Sequence, residues 1–587
     1  MDSARHSRWR AVQTWVVHVS YLVLGIVGNL AAWRLGFTDH LVGGTGGDTG
    51  QEIWFFQVVN HNFFHGLGFL ETTLVNYPTG INLSNITSMP TLGVVFAPIT
   101  AIWGPVAAYN VATTLAPSAA ASAMYATTGR WMSSRLARVV VGLLFGFSPY
   151  VAAQNWGHLF LSTVVLLPLM LTFLHEIFVR QQWPSLVTGM MLGLLIIAQL
   201  GLSPELLLDG AVIGAVFLVV RFRHERQWSA SRQPYALRAL RFVGVMMLLP
   251  AALFVNNFLN GANSFKGAYR PAHMVSALST DLLAIFLPSN LQHFTLGVGR
   301  HIGSLAYYAA VGGPHKPAPF ESGAYLGIPL LLMLYFFVRR YGRDIRIRAL
   351  FITGLVALVL SMGDTLRING WNTHLPLPFT IVRRLPLFES SIAGRWSLYV
   401  WFCAAILIGL GIERVQRNSR QPRGRRLFGV ILAMTIFGGT LLIPRWPMPA
   451  LPQAVPEWFV HDATSVLPRD ATVVTYPIAQ NGSPLPMMWQ AINDMHYRLV
   501  AGAAGPQVTA ANPIRDALRL CDSGLDPLSD PAVVSAAREQ LRPLPDVYFV
   551  ATEYGLQRDC AVRLFTEIAG SPGVTQRDVT LWPNVLP

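Results

Sequence analysis

The sequence predicts a polytopic α-helical membrane protein of about eleven transmembrane helices with a small C-terminal extracytoplasmic α/β domain, and three observations predict it. Composition is the first: of 587 residues, 52% are hydrophobic and only 12% charged, with a mean hydropathy of +0.42, outside the range of soluble globular chains. The second is the placement of positive charge. Among 43 basic residues only Lys266 and Lys316 are lysines, and the arginines gather in short connections between apolar segments. The third is a change of composition beyond a proline-rich stretch at 444–456, after which the chain reads as a folded, polar-surfaced domain.

The first apolar segment, 12–35, is long enough to span, and no small-residue cleavage pattern follows it, so it is expected to remain as a helix and not to leave as a signal peptide. Residues 36–88 form a polar and aromatic loop. In it Trp54, Phe55, Phe56, Phe63, Phe64 and Phe69 are spaced as an amphipathic helix lying at the membrane surface. Residues 89–104 are apolar but short and carry Pro90 and Pro98, which suits a second juxtamembrane or half-inserted helix. With the next span at 105–128, Arg130, Arg135 and Arg138 fall on the side of Arg5, Arg8 and Arg10, as the positive-inside pattern requires. Spans at 139–151, 159–178, 185–202, 205–220 and 242–257 then place the arginines of 221–241 inside. After a large external loop at 260–321, spans at 324–338, 350–362, 395–412 and 427–444 keep the arginines of 339–348 and 414–426 on the same side. The N-terminus is therefore expected in the cytoplasm of a bacterial cell and the C-terminus outside.

The expected division is a transmembrane domain at 1–443 with the external juxtamembrane loop 36–104, a linker at 444–456, and an extracytoplasmic α/β domain at 457–587. Within that last domain 471–476 and 546–551 read as strands and 531–541 as a helix. Cys521 and Cys560, its two cysteines, lie in an oxidising compartment on this topology and are expected to pair. Nucleic-acid binding, the other reading of a pI near 10.0, is excluded because no basic patch is interleaved with exposed aromatics on a soluble module.

Charge also confines the chemistry. The external loops and helix ends hold Asp48, Glu52, His61, His65, His158, Glu205, Asp281, Arg300, Glu321, Arg383, Arg384 and Arg395, while the cytoplasmic side offers almost only arginine. Acid–base work needs carboxylates or histidines, so the external membrane boundary is where a reaction belongs. Asp48 stands out there. It sits in Gly43-Gly44-Thr45-Gly46-Gly47-Asp48-Thr49-Gly50-Gln51-Glu52, where glycines let the backbone turn tightly and leave the carboxylate unhindered. Two roles are open to it: general base, or cap of the helix that begins near Gly50.

Glu205 opens a helix after Ser203-Pro204, so it either serves the site or complements the helix dipole. Asp209, one turn on, is a carboxylate inside an apolar run. His158, in Gln154-Asn155-Trp156-Gly157-His158, binds substrate or ties off a helix end. Arg383, Arg384 and Arg395 lie outside against the charge trend. A guanidinium fork beside a helix N-terminus suits a phosphate or pyrophosphate; the competing reading pairs these arginines with anionic lipid or with Glu389 and Asp364.

The layout of an N-terminal span, an acidic residue at the start of the first external loop, two juxtamembrane helices in that loop, many further spans and a C-terminal extracytoplasmic domain resembles the GT-C superfamily of polyprenyl-phosphate-sugar-dependent membrane glycosyltransferases. The resemblance implies that Asp48 is catalytic, since it occupies the position of the family's first-loop carboxylate. Many members carry a second carboxylate after the third span, where this chain has Asn155 and His158. No cofactor is assigned on this basis, and a divalent metal is left open.

The function so implied is transfer of a sugar from a polyprenyl-phosphate donor to a cell-envelope glycan, lipid or protein acceptor at the extracytoplasmic face. Asp48 would act on the acceptor hydroxyl with Glu52 or Glu205 assisting, and Arg383, Arg384, Arg395 or His158 would hold the donor phosphate. Two other classes stay open: a transporter or flippase of a lipid-linked or anionic substrate, and a non-catalytic envelope assembly protein. A proton-coupled carrier wants carboxylates near mid-bilayer, whereas nearly all here map to the external boundary.

Overall fold

The computed structural model of the chain describes residues 2–43, 48–224, 226–260, 278–289, 291–294, 323–480, 483–503 and 511–585. Two compact units divide it: Met1–Arg34, Ala112–Pro250 and Gly267–Pro449 form one, and Leu35–Val111, Ala251–Lys266 and Ala450–Pro587 the other.

The chain is a multi-pass membrane protein. Among the described residues seven helices are long and apolar enough to cross a bilayer: Ala11–Gly28, Pro90–Thr128, Arg135–Gln154, Leu159–Arg180, Ala230–Asn257, Ala393–Arg417 and Pro422–Leu442. Helices also stand at the other four predicted span positions. Ser185–Leu200, Ile328–Tyr341 and Ile345–Ser361 are shorter, and Pro204–His224 carries Glu205, Asp209, Arg221 and Arg223. Gly104, at φ 84° and ψ 170°, breaks Pro90–Thr128 in two. It is the residue before Pro105, where the proline ring disfavours helical backbone and glycine alone tolerates the positive φ.

In the first unit Ser397–Arg417 is buried along nearly its whole length. Its small residues explain that position, since a Cβ on Gly409 would lie 2.2 Å from Val141 and one on Gly411 2.3 Å from Phe337. Neighbouring helices therefore close onto its backbone. At one end of this unit the arginine-rich connections are tied by carboxylates. Arg130 bonds Glu176 and Arg414 bonds Asp344, and Glu413 accepts from Ser133 and Ser134 backbone N–H groups at 2.7 and 3.2 Å. Three arginine clusters predicted on one side thus meet through short-range partners.

The second unit is built on a five-stranded sheet, in the order Val574–Gln576, Val579–Trp582, Val547–Thr552, Thr472–Tyr476, Arg498–Leu499. The last three run parallel and the first two antiparallel. Tyr476, Phe549, Phe565 and Trp582 fill its core, and Cys521–Cys560 is a disulfide with Cα atoms 5.7 Å apart. The predicted strands and the Pro531–Leu541 helix lie where the alternation put them.

The loop after the first span folds with this domain instead of with the spans. His40–Val42 pairs antiparallel with Ala450–Pro452, so both the loop and part of the expected linker are structural members of the unit. Trp54 Nε1 donates to Gln490 Oε1 at 2.6 Å, Gln57 Nε2 to Asp494 Oδ1 at 2.5 Å, and Gln490 Nε2 to Leu74 O at 2.8 Å. Thr49–Phe64 is accordingly no surface-lying amphipathic helix. It is buried from Thr49 to Asn62 save for the partly exposed Gln51, and only Phe63 and Phe64, 60% and 66% exposed, leave the protein. Ile53, Trp54, Phe55, Phe56, Val58 and Val59 surround the helix with apolar groups, leaving no polar face for water, and a helix apolar all round is buried. Phe69 lies beyond the helix end.

Candidate active site

Asp48 and Glu52 belong to the second unit, at the entrance of the Thr49–Phe64 helix. Their approach is set by Asn110, whose Oδ1 accepts Val42 N–H at 3.2 Å while its Nδ2 donates to Phe37 O and His40 O at 2.8 and 2.7 Å. That one amide fixes the segment leading to Gly43, which takes φ 74°. Thr45 and the glycines at 44, 46 and 47 lie outside the described residues, as do Arg300 and Glu321.

Asp48 occupies the N-cap position at φ −92° and ψ 8°, partly buried, and its side chain makes no capping hydrogen bond. Its backbone carbonyl accepts from Glu52 N–H at 2.8 Å. An aspartate at such a place ordinarily turns its carboxylate back onto the first-turn N–H groups; this one does not. Glu52, one turn on and only 1% exposed, puts a second carboxylate inside the protein. Gly50 admits the loop before Leu485–Ile492, since a Cβ there would lie 3.2 Å from the Pro484 side chain. Tyr109 and Thr49 hydroxyls, 3.4 Å apart, complete the surroundings of this helix start.

Near the other end of the same helix His61 and His65 stack with ring centroids 4.1 Å apart. Burial first, then His65 and Arg469, hold the His61 imidazole below its usual pKa, against the opposite pull of Asp494 and Asp470.

The remaining predicted residues are in the first unit. Glu205 and Arg395 come together as an ion pair at 2.5 Å, the arginine side chain 4% exposed and the glutamate 19%. Glu205 Oε1 also accepts Ile392 N–H at 3.0 Å. Asp209, on the same helix face one turn later, is fully buried, and neither of its carboxylate oxygens accepts a hydrogen bond among the described residues. Tyr399 packs alongside: its hydroxyl donates to Leu206 O and would lie 3.0 Å from a Cβ on Gly210.

Arg383 pairs with Asp364, whose backbone carbonyl also accepts from Thr380 Oγ1 at 3.1 Å. Two of these three arginines, Arg383 and Arg395, are therefore neutralised by the protein itself. Arg384 is partly buried and forms no ion pair among the described residues. Asp281 is a clamp, accepting N–H groups of Leu283, Asn369 and Gly370 at 2.8, 3.1 and 2.7 Å.

His158, 9% exposed, shares a hydrogen bond at 2.9 Å between Nδ1 and Gln154 Oε1. Asn155 Nδ2 donates to Thr113 O at 3.2 Å, and its Oδ1 accepts from Ser162 at 3.0 Å. The segment that stands where the family's second carboxylate is expected thus joins helix ends. Among the described residues no group of three or more His, Cys, Asp or Glu side chains is placed to hold a metal ion.

Sequence reasoning named Asp364 as one pairing partner of these arginines but missed Asn110 and Tyr399. Asn110 had a signal, being an amide inside the apolar run 105–128. Tyr399 had none, because a tyrosine in an apolar helix is ordinary packing.

A family model described as "Domain of unknown function (DUF6311)" matches residues 18–437, and the chain belongs to that family. No curated protein is similar in sequence. Among solved structures the chain is similar to the arabinofuranosyltransferase AftD from Mycobacteria, with a TM-score of 0.55 at 12% identity over 98% of this chain and 40% of that one. It is similar also to the Archaeoglobus fulgidus oligosaccharyltransferase, with a TM-score of 0.50 at 10% identity over 92% of this chain and 69% of that one. The chain spans 40% of the length of the mycobacterial protein. Its fold is that of the GT-C membrane glycosyltransferases.

Proposed function

We propose that this DUF6311 member is a membrane glycosyltransferase, moving a sugar from a polyprenyl-phosphate donor to a glycan, lipid or protein acceptor at the extracytoplasmic face of a bacterial cytoplasmic membrane. The observation that carries the reading is the carboxylate of Asp48, which begins a buried helix in the first external loop and yet makes no capping bond. A partly buried carboxylate not spent on its own helix is suited to accept a proton.

In this mechanism Asp48 takes the proton of the acceptor hydroxyl as that oxygen attacks the anomeric carbon. The bond from that carbon to the phosphate oxygen breaks, and its electron pair leaves with the polyprenyl phosphate. Glu52 supports Asp48 electrostatically. Arg384, which forms no ion pair among the described residues, meets the donor phosphate, and Arg395 is held in place by Glu205, which makes Glu205 a positioning residue. Charge stabilisation on the leaving phosphate and orientation of the two substrates supply most of the rate. The test is sugar transfer from a polyprenyl-phosphate sugar in membranes containing Asp48→Asn, and full activity in that variant rejects the reading.

One observation favours a second reading, a carrier of a lipid-linked or anionic substrate: Asp209 is a fully buried carboxylate in the Pro204–His224 helix. Such groups serve as proton sites in carriers. Proton-coupled uptake or flipping abolished by Asp209→Asn, with Asp48→Asn silent, would decide for it.

A further inference from the structure

Within the membrane unit a groove of about 450 Å³ is lined by Pro184, Ser185, Leu186, Arg238, Arg241, Phe242 and Val245. It lies where the Ser185–Leu200 helix starts beside the Ala230–Asn257 segment. The two helices are locked together deeper in, because a Cβ on Gly189 would lie 2.2 Å from Ala239 O and one on Gly193 2.8 Å from Met246. This is the Gly-x-x-x-Gly approach of membrane helices. Above the lock, Tyr235 donates to Trp183 O at 2.6 Å and shares a hydrogen bond with Thr188 at 3.1 Å. Held at both levels, the helices leave the groove open between them.

Its lining has two chemistries. Arg238, Arg241, Phe242 and Val245 are spaced i, i+3, i+4 and i+7 along one helix face. Neither arginine has a carboxylate partner among the described residues, and Arg238 Nε makes only a 3.3 Å bond to Pro234 O of its own helix. Below them the wall is apolar and open. Leu186 is 46% exposed and Val245 63%, and the stripe continues through Leu248 and Leu249, 69% and 68% exposed. Only 6% of the apolar window of Ala230–Asn257 is buried within the protein. A helix so apolar and so uncovered faces lipid, and the arginines mark where it meets the head-group layer.

We infer that this groove binds an anionic glycerophospholipid of the surrounding bilayer, with the phosphate between Arg238 and Arg241 and an acyl chain along Leu186, Phe242 and Val245. The arginine fork matches phosphate oxygens, and the positive N-terminal end of the Ser185–Leu200 helix points to the same region. Two uncompensated positive charges select a lipid of net negative charge over a zwitterionic one.

The experiment is native mass spectrometry of the full chain released from nanodiscs containing equal amounts of phosphatidylglycerol and phosphatidylcholine. The wild type should retain phosphatidylglycerol about thirty-fold in preference, which at about 1.4 kcal/mol per tenfold is about 2 kcal/mol, or about 1 for each arginine at a membrane surface. R238Q/R241Q should reduce the preference to a few-fold, and R339Q/R340Q, which removes the same charge elsewhere, should leave it intact. Leu186→Trp fills the groove and keeps both charges, so it should also abolish tight retention; it keeps the test decisive if the double variant fails to fold. Equal retention of the two lipids by the wild type would overturn the inference. So would wild-type retention in Leu186→Trp, since that means diffuse surface charge. Displacement of phosphatidylglycerol by an equimolar polyprenyl phosphate would overturn it as well, assigning the groove to the donor lipid. None of these readings depends on Asp48, so failure here leaves the proposed transferase activity untouched.

Discussion

Asp48 and Glu205 are carboxylates at the starts of helices in different units, each compatible in sequence with a capping or dipole role. Their structures part. Glu205 has one oxygen on Arg395 and the other on the Ile392 N–H, whereas the Asp48 side chain makes no capping bond to the first turn of its own helix. The difference teaches that a carboxylate at a helix start is informative for function when its local hydrogen bond is unmade. The same contrast separates the arginines: Arg383 and Arg395 are answered by carboxylates of the protein, and Arg384, partly buried, has no carboxylate partner among the described residues.

The largest expected effect tests the Asp48 side. Asp48→Asn should lower transfer by about 10²–10⁴-fold with an unchanged melting temperature, because asparagine keeps the shape of the side chain and there is no capping bond to lose. A melting shift without a rate loss would make the two carboxylates alike and break the comparison. Glu205→Ala should do the reverse. It strands the Arg395 guanidinium, 4% exposed, at a cost of about 4 kcal/mol, read as a lower melting temperature of the membrane unit; transfer by the fraction still folded should fall far less than in Asp48→Asn.

Opening the disulfide asks whether the unit that carries Asp48 depends on its own staple. Cys521→Ser/Cys560→Ser releases a bridge across a sequence separation of 39 and should destabilise that unit by about 3 kcal/mol, measured by limited proteolysis at rising temperature. An equal loss in protection of the membrane helices would show that the units do not melt separately.

A smaller effect is expected with pH. His61 has its pKa lowered in the folded unit, chiefly by burial, so the unfolded chain binds a proton near pH 6.5 that the folded one accepts only at lower pH. Stability is therefore full above that value and is lost as pH falls from about 6.5 toward the folded pKa. Melting temperatures of the second unit at pH 7.5 and 5.5 should differ in that sense, and His61→Gln should shrink the difference. The smallest effect sharpens the arginine contrast. Arg384→Lys should raise the apparent KM for the donor a few-fold, as an ammonium lacks the planar fork, while leaving thermal stability unchanged.

By itself the sequence determined what repeats along the chain. Span positions follow from hydropathy, and the strands and helix of the C-terminal domain from their own local pattern, all of which are sums over neighbouring residues. The position of Asp48 was legible for the same reason, because a glycine-rich turn after the first span is local.

Tertiary structure alone decided the partners. Nothing near Trp54 in the chain announces Gln490, yet their bond ties the Thr49–Phe64 helix to the C-terminal domain. Nothing near Glu205 announces Arg395, 190 residues away. A charge or an indole N–H in a buried place must find a complement wherever the fold supplies one, and which residue supplies it is set by packing of distant segments. The unmade cap of Asp48 belongs to the same class, since a hydrogen bond that fails to form leaves no trace in sequence.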